Sequence, residues 1–114
     1  MTATSERIAF MEALEELDRA LDEVTELIGR MKRRIAELRA AQAEGRALRE
    51  IVSAEAPPLI VHLLTEATNL LHVYGNRVRR TEARALHREG MTMEEIAAVF
   101  GVTRQRISAL LRDE

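Results

Sequence analysis

Between Phe100 and Leu111 the chain reads FGVTRQRISALL, where two arginines and a glutamine directly follow a Gly-Val-Thr break in an apolar pattern. Arg104 carries a fork of donors that fits the O6 and N7 acceptors of guanine, and Gln105 offers the donor and acceptor that suit adenine. Ser108 has a hydroxyl for a base edge, and the Ala109 methyl suits contact with the methyl of thymine. Thr103, at the start of that stretch, is placed to hold a phosphate together with the helix N-terminus. Arg106 and Arg112, with the upstream cluster Arg77, Arg79, Arg80 and Arg84, add cations suited to a phosphodiester backbone. No competing chemistry is visible. No Ser/His/Asp set, glycine-rich phosphate loop or paired carboxylate in an apolar setting occurs, so neither an enzymatic activity nor a catalytic residue is expected. His62, His72 and His87 have no further histidine or cysteine at ligand spacing, and Glu66 lies four residues beyond His62 as a helix-face partner. No metal and no cofactor are expected.

These side chains need a rigid support, and the residues around them supply its signals. Gly90 marks a turn, and Thr92 with Glu95 three residues on has the spacing of a capping box. The helix so begun runs to about Phe100, because Gly101 supplies the positive-φ residue that stops it. Thr103 caps the next helix. Two short helices joined by so tight a turn give a helix-turn-helix shape. Ile96, Phe100, Val102, Ile107 and Leu110 are expected to face inward, with Ala97 small enough for the closest approach.

The segment EEIAAVFGVTRQRISALLR resembles the helix-turn-helix of bacterial transcription regulators, and especially that of sigma-70 region 4. The resemblance covers roughly residues 77–112 and implies a third, supporting helix, for which NRVRRTEARALHREG stands ready with Leu86 as its core contact. It also implies a second helix in the major groove of double-stranded DNA, read through its N-terminal residues. No segment suits the promoter-melting domain of a sigma factor, so the expectation is a region-4-like DNA reader rather than a sigma factor.

Upstream, Phe10, Leu14, Leu17, Leu21, Val24, Ile28, Met31, Ile35 and Leu38 alternate steps of four and three, the period of a coiled-coil seam. Ser5 followed by Glu6 suits the helix start. Residues 1–29 carry 2 basic and 8 acidic groups, net −6, whereas residues 30–50 carry 7 and 3, net +4. An antiparallel partner would set Asp18 near Lys32 and mix the signs. That partner is either a second copy, giving a homodimer, or another helix of the same chain. Residues 40–58 break the pattern, with Gly45 as a possible cap and a proline of the pair at 57 and 58 suited to the first turn of the next helix. Beyond it Ile60, Leu64, Ala67, Leu71, Tyr74 and Val78 form a second apolar stripe. Gly75-Asn76 either ends that helix or is passed through on the way to Glu89.

Aromatics make up 3% of the 114 residues, and five glycines and two prolines leave few breaks. The core must come from aliphatic side chains, which favours an all-α fold. The expected organisation is a dimerisation helix over 1–43, a linker over 44–58, a second amphipathic helix over 59–76 and a tri-helical DNA-binding part over 77–114. The expected function is sequence-specific DNA binding by a homodimeric transcription regulator or nucleoid-associated protein, with two reading helices about 34 Å apart if the dimer is two-fold. The alternative is a protein-interaction module, either a coiled-coil adaptor or a domain that docks on RNA polymerase. With no cysteine, no leader pattern in MTATSERIAF and no long apolar run, a cytoplasmic, nucleoid-associated location without membrane contact is expected.

Overall fold

The computed structural model describes residues 4–112, and the outer ends of the expected segments, residues 1–3 and 113–114, lie outside them. The described residues form five α-helices and no strand: α1 (Ser5–Ala43), α2 (Leu48–Ser53), α3 (Ile60–Arg88), α4 (Met93–Phe100) and α5 (Arg104–Arg112). The chain is all-α and opens on a long helix. Among the described residues no helix is long and apolar enough to cross a membrane.

α1 extends over 39 residues because Ala, Leu, Glu and Arg dominate it and no proline interrupts. Its cap is Thr4 rather than Ser5. The Thr4 hydroxyl accepts from the Arg7 N–H at 3.1 Å, and the Thr4 carbonyl accepts from the Ile8 N–H at 3.0 Å. Ser5 is thereby the first helical residue, with Glu6 in a turn where negative charge is favourable. At the far end the backbone leaves the helix and reaches Gly45 at φ +77°.

Within the expected linker α2 forms and buries Ile51. The prolines also precede the next helix instead of starting it. α3 begins at Ile60, whose N–H donates to Glu55 Oε2 at 2.6 Å. The same carboxylate accepts from Arg34 Nη1 at 3.0 Å, and Arg34 Nη1 donates to the Ala56 carbonyl at 2.7 Å. One arginine of α1 thus holds the segment that leads into α3.

α3 is a single helix of 29 residues, so residues 59–76 and the stretch beyond them are not separate elements. Gly75 costs only about 1 kcal/mol relative to alanine in a helix interior, and the surrounding turns override it. The Asn76 side chain accepts from Arg79 Nη1 at 3.1 Å and lies 3.2 Å from His72 Nε2, both one helical turn away.

Residue contacts group the chain into two compact units, one made of residues up to Arg19 and from His72 onward, the other of Ala20–Leu71. In the second unit Leu27, Leu63 and Ala67 form the core, with Met31 and Leu70 packed on it. α1 and α3 therefore pair inside one chain. This divides the expected nine-residue seam. Val24 is buried and Met31 and Leu38 are half-buried, while Leu21, Ile28 and Ile35 stay exposed. In the first unit Phe10 and Leu17 are half-buried and Leu14 is exposed. A heptad carries two apolar rows, and the chain's own fold takes up one of them, so the nine residues are not one surface open to a partner.

Candidate nucleic-acid interface

The end of the chain is built as the local signals require. After α3, Gly90 turns at φ +103°, and the Met91 N–H donates back to the Leu86 carbonyl at 3.1 Å. Thr92 then caps α4 reciprocally. The Thr92 hydroxyl accepts from the Glu95 N–H at 3.1 Å, and Glu95 Oε1 accepts from the Thr92 N–H at 3.0 Å. The bond from the Thr92 backbone, then the bond with its hydroxyl, hold the Glu95 carboxyl below its usual range against a small opposing desolvation.

Gly101 closes α4 at φ 68°, ψ 34°, the left-handed conformation that glycine adopts without steric cost. Its N–H and that of Val102 both donate to the Ala97 carbonyl. Two residues later the Thr103 hydroxyl accepts from the Arg106 N–H at 3.1 Å and starts α5. Ala83 of α3, Ile96 and Ala97 of α4, and Ile107 and Leu110 of α5 share one core, with Leu86 and Phe100 packed on it. Val102 departs from expectation. The residue is 41% exposed at the bend.

With Ile107 and Leu110 fixed inward, the solvent-facing side of α5 is determined. Thr103, Arg104, Gln105, Arg106 and Arg112 are exposed, and Ser108 and Ala109 are half-buried. The Thr103 oxygen is engaged in the cap, which leaves its proton free to donate. Arg104 is not a free cation: its Nε lies 2.7 Å from Glu94 Oε1, and both side chains are more than half exposed. An exposed pair of this kind contributes between zero and about 1 kcal/mol. Glu94 is a participant that sequence reasoning passed over, since a separation of ten residues across a turn has no periodic signature.

The α3 arginines divide. Arg77 pairs with Glu16 of α1 through its Nη1. That pairing gives Arg77 a carboxylate partner within the chain, as Glu94 does for Arg104. Arg79 is exposed, and Arg80 and Arg84 are half-buried. Arg88, which the sequence reading did not single out, has its Nε 4.0 Å from Glu6 Oε2. A groove of about 370 Å³ is lined by Arg79 and Glu82 of α3, Val99 and Phe100 of α4, Val102 of the bend, and Arg106 and Leu110 of α5. Among the described residues no group of three or more His, Asp or Glu side chains converges as a metal site. Compared with known proteins, the chain matches no family model, no curated protein and no solved structure.

Proposed function

We propose that the protein is a sequence-specific DNA-binding regulator or nucleoid-associated protein that acts as a homodimer. In this reading the end of α3 with α4 and α5 is a tri-helical helix-turn-helix, and α5 enters the major groove. The observation that carries it is the outward row on α5, where Arg104 and Gln105 follow the Thr103 cap while Ile107 and Leu110 are anchored beneath. Side chains held this way on a short, capped helix meet base edges with little loss of freedom. Arg79, Arg80, Arg84, Arg106 and Arg112 serve the phosphates, and the resemblance of this segment to sigma-70 region 4 supports the same use. A nucleoid-associated location follows from this reading and belongs to it.

Selection of bound duplexes from a random pool, followed by titration, tests the proposal. Arg104→Ala should weaken the selected duplex by about 1–3 kcal/mol without changing helicity. Glu94→Gln should strengthen it by roughly 2- to 5-fold, since it frees Arg104 and removes a negative charge. Equal affinity of Arg104→Ala and parent would remove α5 from base reading. A second reading, docking on a protein such as RNA polymerase, is favoured by Val99, which is 63% exposed and lines the groove with Arg79 and Arg106. Binding confined to that groove would be lost in Val99→Asp and kept in Arg104→Ala.

A further inference from the structure

Within the unit Ala20–Leu71, α1 and α3 run antiparallel, with Leu27 and Met31 of one against Leu63, Ala67 and Leu70 of the other. That packing leaves six large apolar side chains in water: Leu21, Ile28 and Ile35 on α1, and Val61, Leu64 and Leu71 on α3. Ile28 is 47% exposed and Leu64 57%. Leu21, Ile28 and Ile35 recur every seven residues, about a quarter turn beyond the row that faces α3. Leu64 and Leu71 lie a similar rotation beyond the α3 row that faces α1. For antiparallel helices these equal rotations bring both rows to the same side of the pair. The result is two rows of apolar side chains on one side of the pair, with Val61 lying further round α3.

We infer that this face is covered by the same face of a second copy, giving an antiparallel four-helix bundle in which the two α1 helices lie side by side across a two-fold axis near Thr25. The inference rests on the homodimer of the proposed function and specifies the surface that makes it. Charge selects both the occupant and its direction. α1 is acidic before Gly29 and basic from Arg30 to Arg39, so a reversed copy of itself is its complement, whereas a parallel copy sets like charges together. In the reversed register Leu21 of one copy meets Ile28 of the other, and Asp18 stands beside Lys32. The two-fold repeats each contact, as an isologous interface requires.

The chain has no cysteine, so one introduced thiol reports the register directly. Thr25→Cys should join two copies through a short bismaleimide, because the axis brings the two positions together. Asp18→Cys should not, since the two copies of that position then lie about 21 Å apart along the helices. Ile28→Asp and Leu64→Asp should each shift the protein to monomer in sedimentation while retaining helicity. A monomeric parent, cross-linking of Asp18→Cys, or a dimeric parent in which Thr25→Cys fails to link would each overturn the inference. Should the aspartate variants unfold, the cross-linking of the two cysteine variants alone decides. All of this is measured without DNA. A cross-linked dimer that binds no duplex leaves the inference standing and removes the DNA reading, and a monomer that binds duplex does the reverse.

Discussion

A single carboxylate shows how much one side chain can fix at the start of a helix. Glu95 is exposed, yet the Thr92 backbone N–H, and after it the Thr92 hydroxyl, hold its carboxyl ionised at lower pH than an ordinary glutamate. Its carboxyl titrates lower in the folded chain than in the unfolded one. The stabilisation is therefore complete above the ordinary value of 4.5 and is lost as pH falls through the lowered folded value. Between pH 7 and pH 3, melting followed by circular dichroism should show a steeper loss for the parent than for Glu95→Gln, which keeps an acceptor but does not titrate. Parallel curves would mean that the carboxylate charge adds nothing to the cap.

At the scale of elements, Arg34 joins α1 to the chain between α2 and α3. Glu55 is only 5% exposed at its side chain and Arg34 18%, and Glu55 also accepts the first N–H of α3. Arg34→Met would leave that carboxylate buried without its cation, so a loss of about 3 kcal/mol is expected, read as a lower midpoint in urea. Little of this was legible beforehand. The Thr92–Glu95 box, the Gly101 bend and the Thr103 cap could be read because each depends on neighbours within four residues. Arg34–Glu55 and Arg77–Glu16 could not, since a charge has no periodicity that names its distant partner. The continuity of α3 through Gly75-Asn76 was undecidable for a related reason: the local penalty is small and packing elsewhere outweighs it. The heptad is legible as a period, but a period does not say which of its two rows the chain keeps for itself.

At the scale of the whole molecule, the two proposed associations rest on different physics and separate under salt. Contacts between arginines and phosphates release counterions, so duplex affinity should fall by several orders of magnitude between 50 and 200 mM salt if six or more contacts form. The apolar face of α1 and α3 loses nothing comparable, because burial of leucine and isoleucine is insensitive to ionic strength. Sedimentation and duplex titration at matched salt concentrations should therefore diverge. If both weaken together, the dimer is held by charge and not by the exposed leucines and isoleucines. The net charge of −2 bears on DNA contact chiefly through Glu6, a carboxylate of α1 that lines one cleft with Ser108 and Arg112 of α5.

The contact between Arg104 and Glu94 gives any ligand of that guanidinium an incumbent to displace. A ligand that offers two acceptors, whether a phosphate or a guanine edge, can engage the guanidinium bidentately where the recorded Glu94 contact uses Nε alone. If Arg104 reads a base, Glu94 lowers its affinity for every ligand by at most the small worth of an exposed pair.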